Sequence, residues 1–333
     1  MLRLTSIVTP VAHLVGPGKI KVVNGRLAFA TREASPVRLD PKALRLVYCY
    51  GSVGVTDDAM TELFRNNIET AWFTPNARRC RGRLVRSDPS TTALRLLQHR
   101  VLGHPKGQLD LARSWVALKI DSQTVAARHA QRHGTAAAAA TLQDLNQARD
   151  NLERAADVAS IRGIEGSSSA SWFRLLPHLL RSPWTFERRS RRPPADPVNA
   201  LLSLGYTLLN ARAVAACDAA GLEVYLGALH QFRPGRPSLA CDLIEPLRVP
   251  AVDRWAIHCL NRGILKPADF SPLNGGIRLL PDAFQITLQS WESEWLNGGH
   301  EARLGRLVQE LIAWIRQQSE SLAPDLANSA PDV

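Results

Sequence analysis

The sequence predicts an α+β protein with a small N-terminal β-sandwich-like domain followed by a larger all-α domain. At 333 residues the chain exceeds a typical single domain. Up to about Leu84, short β-branched and aromatic runs end at Gly or Pro, as strands do. From Ser90 onward, apolar residues recur three or four positions apart, which is typical of amphipathic helices. We therefore expect a β-rich domain over residues 1–88 and a helical domain over residues 89–322.

The clearest strand signal is the Asn24-Gly25 pair between IKVV and RLAF. Asn-Gly between apolar alternations is the strongest short-range indication of a hairpin. LRLVYCYG at 44–51 and AWFTP at 71–75 predict further strands. Thr56 is a suitable cap for one helix over MTELFRNNI, whose apolar residues share a face. We expect this helix to pack under the strands.

The second domain contains several helical patterns. TALRLLQHRVL and LDLARSWVALKI predict two helices, and the stretch TLQDLNQARDNLERAADVASI predicts one long helix. Asp196 and Pro197 open the most deeply buried helix, and Gly221 ends it. An amphipathic helix follows at 302–318. The tail at 323–333 is rich in Pro, Asp, Asn and Ser and is expected to be disordered.

The chain is strongly basic, with 41 Lys and Arg against 30 Asp and Glu and a net charge of +11. This excess attracts polyanions, so nucleic acid is the leading candidate partner. Most of the cations are arginine, whose guanidinium binds phosphate bidentately. The five cysteines form no CxxC pair, which argues against a disulfide framework and a structural zinc site. No segment has eighteen consecutive apolar residues, so we expect a cytoplasmic protein with no membrane partner.

Three acidic or imidazole sites interrupt apolar surroundings in the second domain. They are Glu165 in IRGIEGSSSASWF, His230 in VYLGALH, and the Asp242/Glu245 pair in SLACDLIEPLR. A buried carboxylate needs a partner or a metal ion, because its desolvation costs several kcal/mol. Asp242 and Glu245 are three apart, so on a helix both would point the same way, and Pro246 would bend that helix. Carboxylates and an imidazole together suit Mg²⁺ or Mn²⁺.

Each of these residues also has a plainer interpretation. Glu165 alone is more often a helix-dipole partner or a surface residue, and His230 alone is more often a satisfied core or loop histidine. Asp242 and Glu245 are equally well explained as ion-pair partners of Arg248 or Arg236. Spacing alone does not show that distant segments converge on one metal ion.

A motif series decides between these interpretations. IRGIEGSSSASWF, RRPPADPVNALLSLGYTLL, GLEVYLGALH and GRPSLACDLIEPLRVPAVDR follow one another between residues 160 and 255. This series resembles the CRISPR-associated endonuclease/integrase family that acts in spacer acquisition. The chain departs from the family at Ser169-Ala170 and Trp172-Phe173, which replace a common Ala-Arg and Tyr-Phe.

The resemblance implies a function and a ligand set. Glu165, His230 and Glu245 match the family's metal ligands and would be the catalytic residues, and Asp242 would be an auxiliary ligand or a partner of one. The resemblance also implies Mg²⁺ or Mn²⁺, attack of a 3′-hydroxyl on a phosphodiester at a CRISPR repeat, and double-stranded protospacer and repeat DNA as substrates. It further implies a homodimer joined through the β-rich domains and a small ferredoxin-like partner subunit.

Basic residues near these motifs are candidates for DNA contact. The set is Arg174, Arg188, Arg189, Arg191, Arg192, Arg236, Arg248 and the aromatic Tyr206. A second cluster is Arg78, Arg79, Arg81, Arg83 and Arg86. Charge runs are often only solvated faces, and a core position is the plainer interpretation of Tyr206.

Two other functions remain open at this stage. One is a mobile-element integrase or a branched-DNA nuclease with the same metal site. The other is a non-catalytic DNA-binding protein, which explains the positive charge but not the buried acids.

Overall fold

The computed structural model describes residues 4–8, 11–32, 34–86 and 91–321. Sheets form its N-terminal part and a larger helical part follows, so the predicted α+β class and its order are confirmed. The more specific sandwich-like packing of the sheets stays a prediction. The predicted tail at 323–333 lies outside the described residues, as does part of the predicted boundary, at 87–90.

The N-terminal part has two sheets and one helix. Its elements are β1 (Leu4–Val8), β2 (Val11–Val15), β3 (Gly18–Val23), β4 (Arg26–Ala30), β5 (Val37–Arg38), β6 (Leu46–Tyr50), β7 (Val53–Val55), α1 (Asp57–Arg65), β8 (Glu69–Phe73) and β9 (Cys80–Leu84). One sheet has the order β1-β2-β6-β8-β9, and the other has the order β5-β4-β3-β7. Buried residues of both sheets and of α1 share one apolar core.

The local signals in this part act as expected. β3 and β4 pair antiparallel around Asn24 and Gly25, whose φ angles are 50° and 72°. These positive values are what a tight hairpin turn requires. The Thr56 hydroxyl accepts from the Ala59 N–H and begins α1. The predicted hairpin and the predicted cap are confirmed.

The C-terminal part is mostly helical. Its helices are α2 (Thr92–Gly103), α3 (Pro105–Arg132), α4 (Ala138–Arg154), α5 (Val158–Leu175), α6 (Pro197–Ala219), α7 (Ser238–Leu243), α8 (Arg254–Asn261), α9 (Pro281–Asn297) and α10 (His300–Ser321). The prediction of one helix through 141–161 is wrong. The chain leaves α4 at Ala155, whose φ and ψ are extended, and the Asp157 carboxylate caps α5 by accepting from Ser160 N–H. This break begins a separate helix that carries Glu165.

The prediction of an all-α second domain is also wrong. β10 (Phe270–Leu273) and β11 (Gly276–Leu279) pair antiparallel. Asn274 and Gly275 form the turn with φ angles of 51° and 75°. This second hairpin forms because its turn is an Asn-Gly pair, like the turn between β3 and β4, and such a pair favours a tight hairpin turn. Ile277 N–H donates to the Pro194 carbonyl, so the hairpin packs beside the segment that precedes α6.

Helix α6 is the scaffold of the C-terminal part. The Asp196 carboxylate accepts from Asn199 N–H, Pro197 is the first residue, and Gly221 follows the end with a φ of 78°. All three predicted end signals are confirmed. Within the described residues α6 alone is long and apolar enough to cross a membrane, but 61% of its most apolar window is buried inside the protein. A central core helix has the same properties.

A buried polar network joins the N-terminal part to the helices. The His13 ring on β2 contacts Tyr50 Oη at 2.7 Å and Glu292 Oε1 on α9 at 2.8 Å. Arg212 on α6 donates to Glu292 Oε2 at 2.5 Å and lies 4.6 Å from the centre of the Trp295 ring. Burial would raise the pKa of Glu292, but the His13 hydrogen bond and the Arg212 charge outweigh it and lower that pKa. The interface therefore depends on an ionised Glu292.

We expect Glu292→Gln to lower the free energy of unfolding by about 3 kcal/mol, because it leaves the buried Arg212 charge without its buried partner. Glu301→Gln removes the other, exposed carboxylate near Arg212 and should cost less than about 1 kcal/mol. Urea unfolding at pH 7 measures both. Since the pKa of Glu292 is lowered on folding, its contribution exists above the ordinary glutamate pKa and is lost as the pH falls below it. Equal effects of the two substitutions would contradict this assignment.

Candidate functional site

Glu165 lies in the middle of α5, away from the helix start. Its side chain is 22% exposed. Its Oε1 accepts from the Ser169 hydroxyl at 2.9 Å, one helical turn later. A Cβ added at Gly163 or Gly166 would meet no atom within 4 Å, so the face of α5 that carries these glycines is open, whereas Glu165 lies nearer the face of the buried Ile161 and Ser168. The glutamate therefore stands at the border between the core and an accessible surface.

Lys119 on α3 reaches the same carboxylate. Its side chain is only 3% exposed, and Nζ donates to Glu165 Oε1. The same Nζ donates to Glu245 Oε2 at 2.5 Å. Glu165 and Glu245, which follow Lys119 by 46 and 126 positions in the chain, thus meet at its ammonium group. The two predicted carboxylate ligands are neighbours in space.

Glu245 is almost fully buried, at 1% exposure. It begins a short 3-10 turn (Glu245–Leu247), which precedes a π-helical turn (Arg248–Asp253). Arg248 Nη1 donates to Glu245 Oε1 at 2.8 Å. Burial opposes ionisation of this carboxyl, but the Arg248 and Lys119 charges outweigh burial and lower its pKa to about 2. Glu245 is therefore an anion at neutral pH.

Asp242 and Glu245 have different hydrogen-bond partners. The regular helix α7 ends at Leu243, ahead of Pro246, and Glu245 begins the 3-10 turn that follows. The Asp242 carboxylate accepts the backbone N–H groups of Ala228, Leu229 and His230 at 2.6–2.9 Å. These contacts fix the loop that carries His230.

Gly227 allows this close approach. A Cβ at that position would lie 2.7 Å from Asp242 Oδ2 and as close to the Ser238 backbone. Any side chain there would push the carboxylate away from the loop.

His230 is held by the same carboxylate. Its Nδ1 lies 2.6 Å from Asp242 Oδ1, and its side chain is 28% exposed. A carboxylate only accepts, so Nδ1 carries the hydrogen of this contact and Nε2 is the ring nitrogen left for another partner. A carboxylate behind a histidine is the arrangement that orients an imidazole for a metal ion. Gln231, with its amide oxygen turned toward Arg162, accepts from that guanidinium at 3.3 Å and joins the loop to α5.

These donors fit a hard divalent ion in chemical type. Two carboxylates already converge on one cation, and the imidazole beside Glu245 has the tautomer of a ligand. Among the described residues, no group of three or more His, Cys, Asp or Glu side chains is close enough to hold a metal ion as they stand. The Lys119 ammonium lies between the two glutamates where such an ion would bind. Glu165, His230 and Glu245 would hold the ion, and Asp242 would orient His230.

Arg248 and Tyr206 belong to a half-buried network beside the site. The Arg248 guanidinium lies 4.3 Å from the centre of the Tyr206 ring. The Tyr206 hydroxyl donates to Asp253 Oδ1 at 2.5 Å, and Trp172 Nε1 donates to Asp253 Oδ2 at 2.7 Å. Glu245 engages Arg248, whose side chain is 15% exposed, and a contact of Arg248 with DNA stays a prediction. Tyr206 is half-buried against the core, and its contact with DNA stays a prediction as well.

The other predicted DNA contacts differ in exposure. Arg188, Arg191 and Arg192 are exposed on the segment before α6.

Arg189 is half-buried and donates to Asn199 Oδ1 and Ser203 Oγ, and burial lowers its pKa to about 10. Exposed Arg174 pairs with Asp144 at 2.7 Å, and half-buried Arg236 donates to the Gln231 carbonyl. Arg188, Arg191 and Arg192 are exposed and have no ion pair among the described residues, and the same holds for Arg78, Arg79, Arg81 and Arg86 of the second cluster.

Sequence reasoning missed Lys119 and Asp253. Lys119 interrupts the apolar face of α3 formed by Leu111, Trp115, Val116 and Ile120. A single cation on a buried helix face requires an acidic partner, so this signal was present. Asp253 is 1% exposed, and burial raises its pKa despite the hydrogen bonds from Tyr206 and Trp172. The sequence also indicated Asp253, because it is the one acidic residue in the largely apolar stretch RVPAVDRWAI.

Comparison with known proteins identifies the family. The family model described as CRISPR associated protein Cas1 matches residues 13–293. The chain therefore belongs to the Cas1 family. It is 39% identical over 212 residues to CRISPR-associated endonuclease Cas1 2 of Rhodospirillum rubrum, which covers 60% of this chain and 61% of that protein. It is 34% identical to CRISPR-associated endonuclease Cas1 3 of Thermus thermophilus, over 80% and 79% of the two chains. This chain thus spans less than two thirds of the length of the Rhodospirillum rubrum relative.

Solved structures share the fold. A Cas1 protein from Thermotoga maritima has a TM-score of 0.83 at 19% identity, over 92% of this chain and 97% of that one. A casposase bound to an integration product has a TM-score of 0.77 at 18% identity, over 94% and 90%. A Cas6-RT-Cas1–Cas2 complex has a TM-score of 0.77 at 24% identity, over 95% of this chain and 36% of that one. At these identities the likeness concerns the fold.

We expect Asp242→Asn to weaken Mn²⁺ binding by about 10- to 100-fold, because the amide no longer holds His230 in its ligand tautomer. The same change should cost about 2 kcal/mol of unfolding free energy, since the amide NH₂ faces backbone N–H donors. Calorimetric Mn²⁺ titration and urea unfolding measure the two effects. Asp121→Asn, at an exposed ion pair with Arg149, is the matched control and should change neither. Unchanged Mn²⁺ affinity in Asp242→Asn would remove Asp242 from the site.

Proposed function

We propose that this chain is a divalent-metal-dependent DNA endonuclease and integrase that inserts new spacer DNA into a CRISPR array. One observation carries the proposal: two glutamates from separate helices share one cation beside a histidine that a carboxylate orients. Membership of the Cas1 family supports it, as do relatives named endonucleases. The fold shared with a casposase bound to an integration product agrees with strand transfer.

The reaction is a transesterification. The 3′-hydroxyl of an incoming duplex attacks a phosphodiester at the edge of a repeat. One P–O bond forms and one breaks, and the proton of the attacking hydroxyl passes to the departing 3′-oxygen by way of solvent. A bound Mg²⁺ or Mn²⁺ would polarise a phosphoryl oxygen and favour ionisation of the attacking hydroxyl.

The side chains divide this work among themselves. Glu165 and Glu245 supply negative charge on two sides of the ion site. His230 would be a ligand through Nε2, because its Nδ1–H donates to Asp242. Arg248 keeps Glu245 ionised and in place. No side chain here needs to act as a free base.

The substrates we propose are the protospacer duplex and the CRISPR repeat. Arg188, Arg191 and Arg192 are exposed on the segment that leads to α6 and would contact the phosphate backbone. Arg174 and Arg236 can join them once DNA competes for their present partners. This division leaves Arg189 and Tyr206 as supports for the surface.

The assembly we propose is a homodimer joined through the β-rich domains, bound to a small ferredoxin-like partner subunit, in the cytoplasm. The fold shared with a Cas6-RT-Cas1–Cas2 complex supports a partner subunit. Within the described residues, α6 is the one helix that passes the length and composition test for a membrane span, and its burial in the core agrees with the proposed absence of a membrane partner.

Strand transfer should fail when a proposed ligand is removed. We expect Glu165→Ala, His230→Ala and Glu245→Ala each to reduce integration by about 100-fold or more. The measurement is insertion of a 3′-OH duplex into supercoiled plasmid bearing a repeat, with Mn²⁺ present. Glu153→Ala, which removes an exposed carboxylate on α4, should keep full activity. Wild-type activity without a divalent ion, or full activity of His230→Ala, would refute the proposal.

DNA affinity should show where the phosphates lie. We expect Arg191→Ala with Arg192→Ala to reduce the slope of log K against log salt by about 0.9 for each lost phosphate contact. Fluorescence anisotropy of a labelled duplex at several salt concentrations gives this slope. Arg26→Ala with Arg38→Ala removes the same charge from exposed positions of the sheet β5-β4-β3-β7 and should leave the slope unchanged. Equal slopes for both pairs would place the DNA elsewhere.

A further inference from the structure

The charges around Lys119 cancel. Glu165 and Glu245 contribute two negative charges, and Lys119 and Arg248 contribute two positive charges. Arg248 is fixed by Glu245 Oε1 and by the Tyr206 ring. A divalent cation that entered this cluster would therefore face no net attraction from these four groups. Removal of one of these two cations, or the arrival of a further anion, would therefore strengthen the attraction for the ion.

Lys119 is the cation that can move. It makes single-point contacts at the end of a flexible four-carbon stem, whereas the Arg248 guanidinium is held at its face and its edge. Its two acceptors differ in accessibility, since the Glu165 side chain is 22% exposed and the Glu245 side chain is 2% exposed. Glu165 is thus the partly accessible end of the contact, and the ammonium can leave the buried cluster on the side of Glu165.

We propose that Lys119 is a built-in competitor of the metal ion, which holds the two glutamates in the free protein and transfers to a DNA phosphate when metal ion and substrate bind together. The inference rests on the proposed function. A phosphate supplies the missing anion, because it pairs with the released ammonium and adds an oxygen ligand for the ion. Metal binding and DNA binding are then coupled through one lysine.

This role has a consequence that a supporting role does not have. If Lys119 competes, its removal strengthens metal binding in the absence of DNA. If Lys119 only holds the ligands in place, its removal weakens metal binding. The sign of one change in affinity therefore separates the two roles.

The test measures Mn²⁺ binding by the loss of the free-ion electron paramagnetic resonance signal. The full-length protein is titrated alone and with a duplex whose 3′ ends lack the hydroxyl, and Glu165→Ala protein with the same duplex gives the background. We expect Lys119→Met and Lys119→Gln to bind Mn²⁺ at least about tenfold more tightly than wild type without DNA. With DNA, wild type should come within about threefold of these variants.

Two controls belong to the same experiment. Lys119→Arg keeps the charge and should bind Mn²⁺ as weakly as wild type without DNA. Lys106→Met removes an exposed lysine from the same helix and should change nothing. Without Mn²⁺, Lys119→Met should lose roughly 5 °C or more in Tm, because two carboxylates lose a buried partner. Saturating Mn²⁺ should restore most of that loss.

The outcomes are distinguishable. Equal or weaker Mn²⁺ binding by both neutral variants without DNA overturns the role of Lys119 and leaves the proposed function standing, provided that wild type binds Mn²⁺ and transfers strands. Failure of wild type to bind Mn²⁺ even with DNA overturns the proposed function itself. Tighter binding by Lys119→Gln supports the inference even where Lys119→Met folds poorly.

Discussion

One buried ammonium group joins the parts of the site. Lys119 comes from α3, Glu165 from α5 and Glu245 from the turn after α7, and their contact brings three distant stretches of chain together. Two carboxylates cannot both be ionised at this depth without positive charge between them. The low pKa of Glu245 and the position of Arg248 both follow from that constraint.

The surroundings keep this arrangement rigid. The Asp242 carboxylate accepts hydrogen bonds from three backbone N–H groups and from the His230 ring, so the loop that carries His230 is held in one conformation. The Asp253 carboxylate accepts hydrogen bonds from Tyr206 and Trp172. It thereby fixes the Tyr206 ring, against which the Arg248 guanidinium packs. Buried polar networks of this kind are stable only when every member has a partner. The helical part therefore holds the ligands close to one geometry before any substrate arrives.

Local signals in the sequence predicted most of the fold. Asn24-Gly25, Thr56, Asp196 and Gly221 each act through their own backbone neighbours, so their effects can be read without tertiary structure. The hairpin at Asn274-Gly275 has the same signal and was overlooked within a helical pattern.

The site was predictable only in part. The motif resemblance indicated Glu165, His230 and Glu245, but no spacing shows that a lysine 46 residues before Glu165 lies between the carboxylates. The spacing of Asp242 and Glu245 did not indicate that Asp242 holds the loop of His230 while Glu245 contacts Lys119 and Arg248. Such contacts depend on how helices pack, which one sequence does not reveal.

The most direct measurement of the central claim is the manganese anomalous signal in crystals of the protein soaked with Mn²⁺ and a bound duplex. The account predicts a peak within about 2.3 Å of carboxylate oxygens of Glu165 and Glu245 and of His230 Nε2, with the Lys119 ammonium moved to a phosphate. A Lys119 ammonium that still bridges the two glutamates at saturating Mn²⁺, with the anomalous peak elsewhere or absent, would contradict it.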